Sequence, residues 1–349
     1  MARKVAMLTG GGDCPGLNAV IRAVTRKLTA DGDYEMVGVE EGWRGLMENN
    51  YMPLDISNTA DILPRGGTIL RTSRTNPYKE EGGPEKVVQN LSDNDIYALV
   101  AIGGDDTLGV ARKLYDDHGI NVVGVPKTID NDLSATDYCF GFNTAVQIAT
   151  EAVDRLHTTA ASHNRCIVAE IMGRHTGWIT IMTGIAASAD VVLIPEVEMT
   201  IEEVCAILKR NRDGGRNYNI VAVSEGFTIT SEKGEEGLAL KSEKVDDFGH
   251  VQLGGVAERL AKQIEERTGY ETRATVLGHI QRGGTPTAYD RILATRYGLG
   301  AADLVLQEKF GRMVALQGDD IVDASLSAAT DELKVVKPEF WEVARTFFG

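Results

Sequence analysis

Ala98-Leu99-Val100-Ala101-Ile102-Gly103-Gly104-Asp105-Asp106-Thr107 and Asn121-Val122-Val123-Gly124-Val125-Pro126-Lys127-Thr128-Ile129-Asp130-Asn131-Asp132 decide the reading of this chain. Each begins as a short apolar run of the kind found in parallel strands buried on both faces. Each then breaks into glycine, lysine and carboxylates. Four carboxylates and one lysine therefore fall at the carboxyl ends of two strands expected to be neighbours, the rim where open α/β sheets bind ligands. Carboxylates crowded there without a purpose would cost desolvation and mutual repulsion. A divalent cation and a phosphoryl group in transfer offset that cost, so the two loops point to phosphoryl chemistry.

Outward from these loops, strands and helices alternate, the pattern of a mostly parallel sheet covered by helices on both faces. Strand Lys4–Leu8 leads through a glycine-rich turn to a helix around Leu17–Leu28, then strand Met36–Val39 and a loop-rich stretch to about Pro84. The apolar stripe Ala145, Ala149, Ala152 and Leu156 marks a helix over Asn143–Thr159. A second series has strands at Cys166–Ile171, Val191–Ile194, Ile220–Val223 and Ala274–Leu277. Helices are expected in it at Thr176–Ser188, Ile201–Lys209, Gly255–Arg267 and Tyr289–Leu306. The series change over near Gly141, and polar Thr230–Asp247 reads as a surface excursion.

At 349 residues the chain is long enough for two cores. Its net charge of −15 opposes general affinity for nucleic acid or anionic membrane. Any positive field for a phosphate must then be local, with Arg74, Lys127, Arg165, Arg174, Arg273 and Arg282 as its candidates. Cys14, Cys139, Cys166 and Cys205 form no CxxC pair, which argues against zinc or a disulfide framework and for a reducing compartment. No signal-peptide core precedes the first strand, and no apolar stretch approaches the roughly 20 residues of a membrane helix. A cytoplasmic location is expected.

The motifs differ in weight. Gly10-Gly11-Gly12-Asp13-Cys14-Pro15-Gly16, between a strand and a helix, can bring backbone N–H groups to a phosphate, yet a plain tight turn reads as well. Asp105 can bind Mg²⁺ as an oxygen ligand; one of Asp105 and Asp106 can instead cap a helix, but two adjacent aspartates suggest more. Asp130 and Asp132 suit general-base work with electrostatic support, against an Asx-turned loop as the plainer reading. Met172-Gly173-Arg174-His175-Thr176-Gly177-Trp178 and Gly278-His279-Ile280-Gln281-Arg282-Gly283-Gly284 each follow a strand, and arginine beside such a turn can grip a phosphate monoester. Trp43 reads as packing first and ligand lining second.

These motifs in this order resemble the phosphofructokinase family, from Lys4 to about Phe348. The resemblance implies two similar Rossmann-like α/β domains: residues 1–141 with about 282–331 for the phosphoryl donor and magnesium, and 142–281 with about 332–349 for fructose 6-phosphate. It places the active site in the cleft between them. It implies phosphorylation of the 1-hydroxyl of fructose 6-phosphate by a homotetramer or homodimer with shared sites. Asp130 resembles the general base and Asp105 the Mg²⁺ residue, with Lys127, Asp106 and Arg174 beside them in catalysis. Gly11, Arg74, Gly104 and Thr107 match donor contacts. Thr128, Ile129, Asp132, Met172, Gly173, Arg174, Glu225, His279 and Arg282 match substrate contacts, while Arg165 and Arg273 match arginines donated across the subunit interface.

Two departures bear on the donor. Where ATP-dependent bacterial members have glycine after the Mg²⁺ aspartate and glycine before Thr-Ile-Asp, this chain has Asp106 and Lys127. A carboxylate at 106 would crowd and repel an α-phosphate, and a lysine at 127 can neutralise a small, highly charged donor. The pair resembles pyrophosphate-dependent members, with Asp106 as the discriminating residue because some ATP-dependent relatives share the lysine. The expected reaction is therefore reversible transfer from pyrophosphate with Mg²⁺. The ATP-dependent reaction is the first alternative, and a non-catalytic sugar-phosphate-binding subunit the second. Ile56 and His157 stand where nucleotide-regulated members have arginines, though Arg22 and Arg26 remain, so nucleotide should bind poorly there.

Overall fold

The computed structural model describes residues 2–231, 234–237, 240–245 and 251–348, and only the backbone at 234–237, 240–245 and 251–253. Strand β1 (Arg3–Thr9) ends in the glycine-rich turn, and α1 (Leu17–Leu28) begins after Gly16, whose φ of 114° few other residues adopt. Leu17, Val20, Ile21, Val24 and Leu28 form its buried face, and Arg26 and Lys27 complement the helix dipole in its last turn. Next come β2 (Tyr34–Val39), α2 (Gly42–Glu48), β3 (Tyr51–Leu54) and α3 (Gly83–Asp93). The stretch expected to be loop-rich thus holds a short helix and an edge strand. Strand β4 (Ile96–Gly103) runs into α4 (Asp105–His118), and β5 (Val122–Pro126) into the Lys127–Asp132 loop.

The chain divides into two compact units; its first crossing from one to the other falls within α5 (Phe142–His163), and it crosses again at Gln281/Arg282 and Leu333/Lys334. Then follow β6 (Cys166–Ile171), α6 (Trp178–Ala186), β7 (Val191–Leu193), α7 (Ile201–Asp213) and β8 (Asn219–Ser224). Helix α7 starts in a full capping box, Thr200 accepting from Glu203 N and Glu203 accepting from Thr200 N. The Thr230–Asp247 region holds short antiparallel pairs, β9 (Ile229–Ser231) with β10 (Gly234–Gly237), and β11 (Leu240–Val245) with β12 (Val251–Leu253). Thr230, at its start, is buried rather than on the surface, and beyond Ser231 the surface placement expected of the side chains lies outside the described residues. Helix α8 (Val256–Thr268), β13 (Thr272–Val276), α9 (Ala288–Leu306), β14 (Arg312–Gln317), β15 (Asp320–Ser325), α10 (Leu326–Thr330) and α11 (Pro338–Arg345) complete the chain.

The first unit, up to Thr144 together with Arg282–Leu333, holds a seven-stranded sheet in the order β15-β14-β5-β4-β1-β2-β3. Its five inner strands are parallel, and antiparallel β3 and β15 close the edges. Leu8, Trp43, Leu99, Leu108, Leu114 and Met313 belong to one buried cluster on it, so Trp43 is a packing residue. The second unit holds a four-stranded parallel sheet, β13-β6-β8-β7, with α8 packed on β6 and β13 and α11 on α6 and β7. The crossovers put the carboxyl ends of β1, β4 and β5 on one rim, and those of β6, β8 and β13 on another. Among the described residues, no helix is long and apolar enough to cross a membrane.

Candidate functional site

In the first unit, register fixes the three loops against one another. Gly103 pairs with Pro126, Lys127 N donates to Gly103 O at 2.9 Å, and Gly10 N donates to Ile102 O at 3.0 Å. Thr107, 2% exposed, fills the space between two of them. A Cβ at Gly10 would lie 2.5 Å from its Oγ1, and one at Gly103 would lie 2.2 Å from its Cβ. These glycines are therefore required by packing. Gly11, at φ 74°, is held from the other side, its N–H donating to Ser73 O at 3.2 Å and its carbonyl accepting from Thr72 Oγ1 at 2.6 Å. That brings exposed Arg74 next to the glycine loop.

Lys127 is 4% exposed, and its Nζ donates to Gly12 O at 2.5 Å. A Cβ at Gly11 would stand 3.6 Å from that Nζ. Burial lowers the lysine's pKa, and nearby Arg282 lowers it further, while Cys14, Asp13 and Asp105 oppose the shift. Arg282 packs on the same loop, where a Cβ at Gly12 would come within 2.6 Å of its Nη1. Two cations thus meet at the glycine turn, on a chain of net charge −15.

Asp105 and Asp106 form the first turn of α4, half-buried, with Gly104 at the N-cap position and no side-chain cap there. Neither caps the helix; both put negative charge at its N-terminus. On the β5 loop, Thr128 Oγ1 accepts from Asp130 N at 3.0 Å and its hydroxyl is hydrogen-bonded to Asp132. Asn131, at φ 53°, accepts from Cys139 N at 2.9 Å through Oδ1, which anchors the loop between the two aspartates. Burial, then Asp130 and Asp105, push the Asp132 carboxyl up to about 7. Ile129 is fully buried and can meet a ligand only through its backbone.

Among the described residues no three His, Cys, Asp or Glu side chains gather tightly enough to hold a metal ion by themselves. Magnesium does not require such a cage, since it commonly takes one or two carboxylates together with phosphate oxygens and water. Asp105, at a helix N-terminus facing a phosphate-suited loop, fits that manner of binding. A 500 Å³ cleft lined by Asp105, Asp106, Asn76, Gly109 and Lys113 opens beside it.

In the second unit, Met172, Gly173, Glu225 and His279 gather at the carboxyl ends of β6, β8 and β13. Gly173, at φ 146°, accepts through its carbonyl from Ser224 Oγ at 2.8 Å and from Gly226 N at 3.1 Å. A Cβ at Gly226 would overlap Arg174 O at 1.9 Å, so the loop bearing Arg174 lies directly on the β8 turn. Met172, Glu225 and His279 line a 420 Å³ cavity shared with Glu170 and Glu258.

The first unit carries two loops ending in paired carboxylates and a cation-lined glycine turn, the second carries a strand-end pocket with Met-Gly-Arg, and a Phosphofructokinase family profile matches residues 4–305. The chain belongs to the phosphofructokinase family. Over 99% of its length it is 58% identical to the whole pyrophosphate--fructose 6-phosphate 1-phosphotransferase of Amycolatopsis methanolica. Over its full length it is 47% identical to 99% of the ATP-dependent 6-phosphofructokinase of Corynebacterium efficiens. A pyrophosphate-dependent phosphofructokinase structure from Nitrosospira multiformis matches 100% of the chain with a TM-score of 0.83, covering 91% of that protein at 21% identity, which is a likeness of fold.

Within this phosphofructokinase, two expected substrate contacts stand apart. Arg165 precedes β6, and Arg273 pairs in register with Ile167 near the start of that strand. Met172 follows the other end, about 20 Å away at strand rise. Both arginines bind Glu271, at 2.7 and 2.6 Å. Arg282 belongs to the first unit and bonds Asp13 O at 3.4 Å. His157, at a regulatory position, is engaged by Ala187 O at 2.6 Å and Tyr218 OH at 3.4 Å.

The sequence reading gave no role to Gln281 or Asn131. Gln281 is fully buried; its Oε1 accepts from Met172 N at 3.3 Å and its Nε2 donates to Gly278 O at 3.1 Å, tying two site loops together. A polar amide inside a glycine turn was its available signal.

Proposed function

We propose that the chain is a pyrophosphate-dependent 6-phosphofructokinase, reversibly transferring a phosphoryl group from pyrophosphate to the 1-hydroxyl of fructose 6-phosphate. Asp106 carries the donor assignment: it shares the first turn of α4 with Asp105, across from a glycine loop already holding the buried Lys127 ammonium. A carboxylate there leaves an α-phosphate no uncharged space, whereas pyrophosphate has none to place. The 58% identity to a relative named for pyrophosphate supports the same reading.

The first unit is read as the donor side. Gly11, Gly104, Thr107 and Arg74 hold pyrophosphate, and Lys127 neutralises charge on the transferred group and on departing phosphate. Asp130 takes the hydroxyl proton as that oxygen attacks phosphorus in line, and Asp132, hydrogen-bonded to the same Thr128, keeps the loop in register. Mg²⁺, held by Asp105 with phosphate oxygens and water, supplies charge neutralisation when bound. The second unit is read as the sugar side, with Met172, Gly173, Arg174, Glu225 and His279 as contacts and Arg282 reaching the ester phosphate. Because Arg165 and Arg273 sit at the far strand ends, we read them as serving a neighbouring subunit's site in a homodimer or homotetramer. The enzyme is read as cytoplasmic, as four buried cysteines outside any disulfide suit.

The cleft beside Asp106 favours a second reading, in which ATP is the donor and its nucleoside lies there. Initial rates with purified protein, Mg²⁺ and either donor separate the two. Formation of fructose 1,6-bisphosphate from pyrophosphate, with ATP a poor substitute, is the expected result; preference for ATP rejects the donor, and no turnover with either rejects the enzyme.

A further inference from the structure

Strand β6 is apolar at every position but one. Glu170, between Ala169 and Ile171, is 3% exposed, yet no step proposed above uses it. A carboxylate in such a place destabilises the fold unless hydrogen bonds replace its water. Its backbone serves the sheet, pairing with Val223 and Val276 and accepting from Leu277 N at 3.0 Å through the carbonyl. Its side chain reaches the first turn of α8. There Oε2 accepts from Ala257 N at 3.0 Å, and the N–H groups of Gly255 and Val256 also bond the carboxylate.

Helix α8 has no cap of its own. Gly255 stands at the N-cap position, at φ 88°, and no side-chain hydrogen bond is made there, although a serine or aspartate at that position could serve the same donors. The anion comes instead from 87 positions before Ala257, on the strand that leads into Met172. That origin joins two parts of one cavity. Strand β6 and its end contribute Glu170 and Met172 to the lining of the 420 Å³ space, and the α8 turn contributes Gly254, Gly255 and Glu258. A bare helix N-terminus in that lining would be a ready-made site for a phosphate.

We propose that Glu170 is a positioning and specificity residue of the sugar side. Its carboxylate fills the N-terminus of α8, holds that first turn against the strand leading into Met172, and denies the terminus to the substrate's phosphate. This rests on reading the cavity as the fructose 6-phosphate site. An unfilled terminus would give a sugar phosphate a second anchor and therefore a second orientation. With Glu170 in place, the phosphate is left to Arg282 and the cavity to the sugar.

Glu170→Ala tests it, because the space left behind can be refilled by a small carboxylate such as formate. In steady-state rates, KM for fructose 6-phosphate should rise about 10- to 100-fold while KM for pyrophosphate stays at the wild-type value. Formate should bring the raised KM back towards wild type and lift the variant's melting temperature more than the wild type's. Sulfate, too large to restore the wall, should compete with fructose 6-phosphate more strongly in the variant than in the wild type. The proposal is overturned by an unchanged KM for fructose 6-phosphate, by a rise shared equally with pyrophosphate, by no response to formate, or by equal inhibition by sulfate. A wild type without turnover rejects the activity proposed above, whereas an active wild type with an unaffected variant rejects Glu170 alone. Should Glu170→Ala not fold, Glu170→Gln decides. Its amide keeps the shape but turns a donor towards the helix N–H groups, so it should raise the same KM alone; a wild-type KM there rejects the role.

Discussion

Asp130 and Asp132 share Thr128 but should fail differently when changed. Asp130→Asn should keep the fold and both KM values while lowering kcat by at least about 10²-fold, the low end for loss of a general base; steady-state rates check this, and near-normal kcat removes Asp130 from proton transfer. Burial, then Asp130 and Asp105, move the Asp132 carboxyl from 3.8 to about 7. Between those two values the folded state keeps a proton that the unfolded chain releases. Stability is lost as pH rises across that interval and stays lost above it. In Mg²⁺-free buffer, Asp132→Asn should raise the melting temperature at pH 8 and change it little near pH 4, and added Mg²⁺ should stabilise the wild type more than the variant. A pH-independent difference contradicts the assignment. The candidacy of these residues was legible because paired carboxylates at two neighbouring strand ends cost desolvation and repulsion that one cap or one Asx turn does not explain. The roles of Asn131 and Gln281 were not, because they depend on a backbone φ and on a loop over a hundred residues away in sequence.

Among the elements, strands with continuous apolar runs were easy to read: β1, β4, β5, β6 and β8 announce themselves by composition. Helix α2 did not, being seven residues long with two glycines and flanked by Glu41 and Asn49, both in the left-handed region. Gly45 there is obligatory, since a Cβ would lie 1.7 Å from Glu40 O, yet glycine in a sequence reads as loop. Strand β3 hid behind Pro53, which an edge strand tolerates. Most helix ends were bounded to within about two residues, with α6 starting at Trp178 rather than Thr176, but α5 and α7 each run four residues further, to His163 and Asp213. At the β6 end, the Gly173 turn is the element on which the proposed sugar side rests. Gly173→Ala would bring a Cβ to 2.6 Å from both Ser224 Oγ and Thr176 O in a conformation strained for alanine. The displaced loop should raise KM for fructose 6-phosphate by about 10- to 100-fold and leave KM for pyrophosphate unchanged. Equal effects on both donor and acceptor would mean that the loop does not belong to the sugar side alone.

For the whole molecule, the placement of Arg165 and Arg273 at the far ends of strands whose near ends carry Met172 argues for sites completed by a second chain. Refolding Arg165→Ala together with Asp130→Asn should regain activity that neither has alone, since some hybrid sites receive every functional group; mass-verified hybrids without activity argue against sharing. The central claim concerns the donor, and it rests on one carboxylate. Asp106→Gly empties the space that an α-phosphate needs, in front of a cleft of 500 Å³. Lys127→Gly acts on the same site, so the two changes should not add. The most direct test is the ratio of kcat/KM for pyrophosphate to that for ATP, measured with fructose 6-phosphate and Mg²⁺ in wild type and Asp106→Gly. The account predicts a ratio well above one in the wild type, falling by at least about 10²-fold in the variant, the scale of one lost transition-state charge contact. A wild type that prefers ATP, or a ratio unmoved by the substitution, would contradict it.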